Sequence, residues 1–254
     1  MGYLSSYKKQ IPSNMKTTKI AAASILALFA SISSSFSAIV IDSFSDGAAT
    51  VRNTFTATLS GFDATASDKL VVMAAAASNI NQFFEISSVT YNGVAMNLAT
   101  KGATASTPFR ATGIYYLDIS DSTVAGNIVV NYSGSIWGEG FDIGAFALSG
   151  TALGFDDGST TSGRSSTITL AEPDSFVAAV NAFGTSNPPA SLTNLGGDTN
   201  LGRGYGLIAD AGSYTATFTG GDVTSVASFS AIPEPSSAAL LGLGGLALIF
   251  RRRK

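Results

Sequence analysis

The chain has 254 residues, with 17 acidic and 14 basic side chains and neither histidine nor cysteine. The lack of histidine excludes Ser-His-Asp and Cys-His catalysis and nearly every zinc, copper or haem site, so we expect no enzymatic activity and no such cofactor. Six basic and 16 acidic residues lie within 39–232, a net charge of −10, and this acidic surface argues against nucleic acid as a partner.

The N-terminal 38 residues have the charge and hydropathy pattern of a secretory signal peptide. Lys16 and Lys19 precede an uncharged apolar stretch at 20–32, and small residues dominate 33–38. Basic, apolar and small-residue regions in this order predict a signal-peptide helix that is removed on export. We therefore assign 1–38 to an N-terminal extension and signal peptide, and expect the mature chain to begin near its end.

Residues 39–231 alternate short β-like runs with Gly, Asn, Asp, Ser and Thr, and no stretch keeps a helical period. About a dozen such runs predict an all-β domain, a single antiparallel β-sandwich of the jelly-roll type. The runs at 70–77 and 176–180 are almost continuously apolar, which predicts central strands covered on both faces. Asn92 and Gly93 lie between two such runs and predict a type I′ hairpin, because both residues tolerate positive φ.

Part of this domain also carries a similarity to known proteins. Three segments follow one another within it, at 89–94, 114–117 and 127–133. The stretch that they span resembles β-sandwich domains scattered through secreted bacterial proteins. The resemblance implies the same fold class and brings no established activity with it.

A glycine-rich loop carries the single tryptophan of the chain, Trp137, together with Glu139. An aromatic ring on such a loop can stack on a sugar while a carboxylate accepts bonds from its hydroxyls. Trp137 can equally cap the core, because aromatic side chains bury large areas. Tyr115 and Tyr116 are neighbours in a predicted strand, so one of them faces outward and offers a second stacking surface. Our candidate ligand-binding residues are Trp137, Glu139 and Tyr115.

Two further groups of acidic residues are candidates for metal binding or catalysis. Asp156 and Asp157 precede a glycine and could supply oxygen ligands to calcium, although a solvated turn is the alternative for this loop. Glycoside hydrolysis requires two facing carboxylates. The glutamates within 39–231 that could supply them are Glu85, Glu139 and Glu172.

The last 23 residues, 232–254, consist of a Pro-Glu-Pro triplet, an uncharged apolar stretch at 238–250 and a basic cluster. The triplet and the cluster are Pro233, Glu234, Pro235, Arg251, Arg252, Arg253 and Lys254. The apolar stretch is shorter than the roughly 17–25 residues that span a bilayer comfortably. It predicts a short transmembrane helix, and the basic cluster predicts that the C-terminus stays in the cytoplasm.

This three-part tail resembles the PEP-CTERM sorting signal of Gram-negative bacteria that produce exopolysaccharide. The resemblance implies that an exosortase, a membrane protease-transpeptidase, recognises the tail and cleaves near the Pro-Glu-Pro triplet. It also implies an exported protein that is anchored transiently in the inner membrane and then reaches the cell surface or the extracellular matrix.

Three functional hypotheses are compatible with a chain divided into 1–38, 39–231 and 232–254. The first is a non-catalytic secreted surface or extracellular-matrix protein, because no catalytic constellation is present in the sequence. The second is a carbohydrate-binding module that acts on exopolysaccharide. The third is a glycan hydrolase.

Overall fold

The computed structural model describes residues 36–49, 52–78, 82–105, 109–119, 125–182, 187–196 and 201–233. Most of these residues belong to one contact unit, Phe36–Ile232, and the regular elements within the described ranges are strands. They are β1 (Val40–Ala49), β2 (Arg52–Phe62), β3 (Lys69–Ser78), β4 (Ile86–Tyr91), β5 (Val94–Ala95), β6 (Asn97–Ala103), β7 (Phe109–Asp118), β8 (Gly126–Ser149), β9 (Asp157–Ser162), β10 (Ser165–Leu170), β11 (Ser175–Ala182), β12 (Thr193–Asn194), β13 (Leu201–Ile208), β14 (Gly212–Thr217) and β15 (Val223–Phe229).

The 24-residue strand β8 organises the first eight strands, because it takes part in two layers. Its residues 126–137 pair antiparallel with β2 on one side and β4 on the other. Its residues 138–149 pair antiparallel with β1 and β3. The first layer therefore contains β2, β4, β5 and the first half of β8. The second layer contains β1, β3, β6, β7 and the second half of β8.

The second half of the chain supplies two more layers. The third layer is a five-stranded sheet in the order β12-β13-β11-β15-β9, and the fourth is the pair β10-β14. All pairings in both are antiparallel.

Three apolar cores lie between the four layers. The first core, between the first and second layers, includes Leu70, Val72, Ile128 and Val130. The second core lies between the second and third layers and includes Val71, Met73, Phe146, Phe176 and Phe229. The third core, between the third and fourth layers, includes Ile168, Val177, Phe218 and Val226.

Strands β3 and β11 are buried along their whole length, which confirms the prediction that they are covered on both faces. In β3, Leu70 and Val72 face the first core while Val71 and Met73 face the second. The all-β, antiparallel prediction is also confirmed for the described ranges. The layers number four, however, rather than the two of a single sandwich, because a strand that is apolar on both faces needs a neighbouring layer on each side.

The predicted hairpin joins β4 to β5. Asn92 and Gly93 have φ values of 50° and 81°, and Tyr91 pairs with Val94 on either side of them. Both central residues thus adopt the positive φ that a type I′ turn requires, which confirms the prediction.

A chain of hydroxyl groups crosses from the second layer to the third. Thr112 Oγ1 lies 2.8 Å from Ser225 Oγ, which lies 2.7 Å from Thr160 Oγ1. Thr160 Oγ1 in turn lies 2.6 Å from Thr100 Oγ1. Gly102 permits this approach, since a Cβ there would fall 2.2 Å from a methyl carbon of Thr160. The hydroxyls therefore satisfy one another inside the protein, where an unpaired polar group would be costly.

No helix within the described ranges is long and apolar enough to cross a membrane. The helices predicted at 20–32 and 238–250 lie outside the described residues.

Replacement of Phe146 by alanine tests the second core. The Phe146 ring is fully buried and lies 5.0 Å from the ring centroid of Phe44, 5.3 Å from that of Phe176 and 4.7 Å from that of Tyr205. We expect Phe146→Ala to lower the free energy of unfolding by about 3–5 kcal/mol, because it leaves a cavity between two packed layers. Urea denaturation measures this loss.

The matched control is Phe55→Ala in β2, because the Phe55 ring is 53% exposed. We expect this change to cost less than about 0.5 kcal/mol. Equal losses for the two variants would contradict the assignment of Phe146 to a close-packed core.

Candidate functional site: the terminal junction and the buried ion pairs

The two ends of the β domain meet at one point, which we call the terminal junction and define by Ser37, Gly150, Thr151, Ala231 and Ile232. The backbone N–H of Ser37 donates to the carbonyl oxygen of Ile232 at 3.0 Å, and that of Ile232 donates to Gly150 at 2.9 Å. Thr151 and Ala231 form an antiparallel bridge beside them. The segment that follows Ile232 therefore leaves the domain next to the point where the N-terminal segment enters.

A glycine is required at the centre of the terminal junction. Gly150 has a φ of +75°, and a Cβ there would lie 2.5 Å from the carbonyl oxygen of Ala38. Its N–H donates to Asp68 Oδ2 at 2.6 Å, and its carbonyl oxygen accepts from Ser37 Oγ at 3.2 Å. These contacts hold the exit of the chain at a fixed position on the domain.

A lysine is buried beneath this end of the domain. Lys69, the first residue of β3, is 0% exposed and forms an ion pair with Asp118, its cross-strand partner at the end of β7. Its ammonium also donates to the carbonyl oxygen of Gly154 at 2.6 Å. The same nitrogen lies 5.1 Å from the ring centroid of Tyr116 and 5.8 Å from that of Phe229, within the range of cation–π attraction.

Asp156 completes what we call the lysine pocket, which consists of Lys69, Asp118, Gly154 and Asp156, with the rings of Tyr116 and Phe229. The N–H of Gly154 donates to both carboxylate oxygens of Asp118, at 3.2 and 3.1 Å. Asp156 Oδ1 accepts from Ser230 Oγ at 2.7 Å. Burial lowers the pKa of the Lys69 ammonium, against the opposing effect of Asp118, and burial raises the pKa of the Asp156 carboxyl.

A second buried cation, Arg203 in β13, crosses from the third layer to the second. It is 1% exposed and forms an ion pair with the buried Asp142 at 2.8 Å. Its Nη1 donates to the carbonyl oxygen of Ile143 at 2.8 Å, and its Nη2 lies 3.4 Å from the carboxylate of Asp46, which is about half exposed. Arg203 therefore ties β13 to β8 and to the edge strand β1.

Aromatic rings extend from this ion pair to the surface. Phe44, in β1, is 42% exposed, and its ring centroid lies 6.2 Å from that of Tyr205 with the planes 24° apart. Tyr205 also packs 6.1 Å from Phe176 in the second core. Phe44 and Asp46 thus present an aromatic ring and a carboxylate on the same edge strand.

Comparison with known protein families identifies the segment that leaves the terminal junction. Residues 231–254 match the PEP-CTERM protein-sorting motif. The chain carries a PEP-CTERM sorting motif. The motif identifies it as an exosortase substrate that is exported and sorted to the cell surface, and it confirms the resemblance inferred from the tail.

The PEP-CTERM match covers the tail and leaves the β domain unassigned. No curated protein and no solved structure matches the chain. Within the motif, Ala231, Ile232 and Pro233 belong to the described residues. The other predicted sorting residues lie outside them: Glu234, Pro235, Arg251, Arg252 and Arg253.

Tyr115 lies in the first core. The sequence had instead predicted an exposed ring that could stack on a ligand. Its ring is 4% exposed, and its hydroxyl donates to the carbonyl oxygen of Ile86 at 3.5 Å. Burial raises the pKa of Tyr115 to about 12. This burial contradicts the expected contact with a ligand. The reason is that the first layer covers β7 on the face where Tyr115 lies, whereas Tyr116 faces the lysine pocket.

Trp137 and Glu139 lie in β8, where the backbone of Trp137 pairs with Arg52. Their side chains lie outside the described residues, so their expected contact with a sugar stays a prediction.

Asp156 and Asp157, the candidate calcium ligands, have separate roles. Asp157 Oδ1 accepts from the N–H of Gly158 at 2.8 Å, and Oδ2 accepts from the N–H of Thr169 at 2.7 Å. Asp156 belongs instead to the lysine pocket. In the described part of the chain, no group of three or more acidic side chains is placed to hold a metal ion. The backbone bonds of Asp157 favour the structural role.

The sequence contains a signal for the two buried cations, which are not among the predicted site residues. Lys69 immediately precedes the uninterrupted apolar run of β3, and Arg203 lies between two glycines in a segment, 199–209, that holds no other charge. A lone charge attached to a fully buried strand must find a partner inside the protein. The identity of that partner depends on strand pairing, which neighbouring residues do not reveal.

Substitution of Asp142 tests the buried ion pair. We expect Asp142→Ala to lower the free energy of unfolding by about 3–5 kcal/mol, because it leaves Arg203 charged and poorly compensated between two layers. Asp46→Ala is the matched control, since Asp46 contacts the same guanidinium from an exposed position. Its cost should not exceed about 1 kcal/mol. Chemical denaturation of both variants provides the comparison, and equal effects would show that Asp142 is not the main partner of Arg203.

Proposed function

We propose that the protein is a non-catalytic surface or extracellular-matrix protein that an exosortase-type membrane protease processes. The observation that carries this proposal is the PEP-CTERM motif at 231–254, which begins directly after the last strand, β15. A sorting motif at this position directs the β domain that precedes it to the cell surface. The mature protein then acts there through its β domain.

The terminal junction supports processing without unfolding of the domain. Ile232 is hydrogen-bonded through its N–H and its carbonyl oxygen, whereas Pro233, the next residue, is exposed. Pro233 and Pro235 disfavour regular structure, so the Pro-Glu-Pro triplet is suited to bind in an extended form in a protease. The domain ends at a fixed point and the recognition segment follows immediately.

Three of the described aspartates support a structural rather than a catalytic role. Asp118 and Asp142 are paired with buried cations, and Asp157 accepts two backbone hydrogen bonds. A glycoside hydrolase instead needs two carboxyl groups that face one substrate across a cleft. We therefore retain hydrolysis of glycans only as the least favoured of the three hypotheses.

Sorting is tested with Glu234→Ala and with deletion of 251–254. We expect both variants to accumulate unprocessed in the inner membrane, since one alters the recognition triplet and the other removes the basic cluster that retains the C-terminus in the cytoplasm. Cell fractionation and immunoblotting of the producing bacterium measure the precursor and the mature form.

Glu172→Ala is the matched control for this experiment, because it removes a glutamate from the β domain and leaves the tail intact. This variant should be processed like the natural protein. Normal maturation of both tail variants would refute the role of the motif in this chain.

Carbohydrate binding is the second candidate, and the edge formed by Phe44 and Asp46 favours it. An exposed aromatic ring beside a carboxylate can stack on a sugar face and accept hydrogen bonds from its hydroxyls. The edge lies on β1, which pairs with one neighbour, β8, so a polymer can approach it from the side.

A screen of purified mature protein against exopolysaccharides and glycans, with calcium and again with EDTA, tests this candidate. We expect Phe44→Ala to abolish any binding at the β1 edge, and Phe55→Ala, an exposed phenylalanine on β2, to retain it. Failure of the natural protein to bind any glycan would reject the binding hypothesis and leave the structural role.

A further inference from the structure

We propose that Lys69 and Asp118 form an intramolecular isopeptide bond, which joins Nζ of Lys69 to Cγ of Asp118 with the loss of one water molecule. The two residues are cross-strand partners at the ends of β3 and β7, and their side chains are in contact as an ion pair. The proposal concerns a covalent modification of the β domain and does not depend on the role proposed for the protein at the cell surface.

The amine of Lys69 is held in place and shielded from water. Its side chain is completely buried, and its nitrogen donates to the carbonyl oxygen of Gly154 as well as to Asp118. The rings of Tyr116 and Phe229 lie beside the same nitrogen. Such confinement places the nucleophile against one carboxyl group, so the two reacting groups lose little further entropy on reaching the transition state.

The carboxyl group of Asp118 is positioned to accept this attack. The N–H of Gly154 donates to both of its oxygens, at 3.2 and 3.1 Å. When nitrogen adds to Cγ, negative charge develops on one of these oxygens, and a fixed N–H group stabilises that charge. One residue, Gly154, therefore orients the amine through its carbonyl oxygen and polarises the acid through its N–H.

Asp156 is our candidate for the proton carrier, because it lies two residues after Gly154, which accepts a hydrogen bond from Lys69. It is half-buried, and Ser230, the residue after Phe229, holds one of its oxygens at 2.7 Å. Its other oxygen, Oδ2, is buried and has no hydrogen-bond partner among the described residues. Because burial raises the pKa of Asp156 and lowers that of Lys69, proton transfer from the ammonium to this carboxylate is easier than between exposed groups.

The reaction balances without an oxidant, a cofactor or an external acid. The ammonium of Lys69 gives one proton to Asp156, and the neutral nitrogen then forms a bond to Cγ of Asp118. The bond between Cγ and one carboxylate oxygen breaks. That oxygen leaves as water with two of the original ammonium protons, one of them returned by Asp156, and the third proton remains on the amide nitrogen.

Another ion pair in the chain shows why this site is different. Lys101 lies 3.3 Å from Glu85, but both side chains are substantially exposed. Water can hydrate both charged groups there, so the pair is stable as two ions. The lysine pocket differs in the complete burial of its amine and in the amide donor on the carboxyl group.

The decisive measurement is tryptic peptide mapping by mass spectrometry of the full-length protein. An amide at Lys69 blocks cleavage there, so residues 53–101 should be recovered joined to residues 111–164. The joined species should weigh one water less than the sum of the two peptides. Recovery of free 53–69 and free 111–164 as the sole products from folded natural protein would overturn the proposal.

Three variants locate the bond and test the role of each group. Lys69→Arg keeps a positive charge in the pocket but lacks the amine nucleophile, so we expect complete loss of the joined peptide. Asp118→Ala should also lose it, whereas Lys101→Arg, the matched control, should retain it in full. Joined peptide in Asp118→Ala, or its loss in Lys101→Arg, would contradict the assignment.

Asp156→Asn tests the proton carrier in samples taken at intervals after synthesis. We expect the bond to form about 100-fold more slowly, the lower end of the usual contribution of a general acid-base group. Formation at the natural rate would overturn the role of Asp156, while circular dichroism confirms that the variant has folded.

Discussion

Burial of the central strands of the second and third layers on both faces is the constraint on which the rest of the structure depends. Strands β3, β11 and β15 lie entirely inside the protein, so their side chains contribute apolar area to two cores at once. A strand in this position has no face on which a charge can remain in water. Each charged residue attached to such a layer must therefore find a partner within the protein.

The same constraint explains the unusual distribution of the cations. Lys69, Arg110 and Arg203 are each at most 1% exposed, although the β domain has six basic residues in all. Arg203 connects two layers, because it joins β13 to β8, and Lys69 joins β3 to the segment after β8. The chain has no cysteine and therefore no disulfide. Dispersion forces between apolar layers are not specific for particular partners. The ionic contacts and the hydroxyl chain from Thr112 to Thr100 supply that specificity.

Local sequence patterns were sufficient for part of this architecture. The apolar runs of β3 and β11 predicted central strands, and the Asn92-Gly93 pair predicted the hairpin, because both features depend on residues that are neighbours in the chain. The dual role of β8 could not be predicted in this way, since its pairing with β1 and β3 in one layer and β2 and β4 in another joins segments far apart in sequence. Tyr115 shows the same limit: alternation separates the two faces of β7, but both faces are covered over part of its length. The tail, by contrast, is a linear signal that a protease binds, and its order of residues was enough to identify it.

The terminal junction also determines how the domain responds to mechanical force. A pull on the tail enters the fold at Ile232 and is opposed first by its hydrogen bonds to Gly150 and Ser37. The bonds of Ile232 can open locally, whereas Ala231, the residue before it, is 1% exposed and belongs to the second core. Tension would thus release Ile232 first and would then have to disrupt core packing at Ala231 before it reached β15.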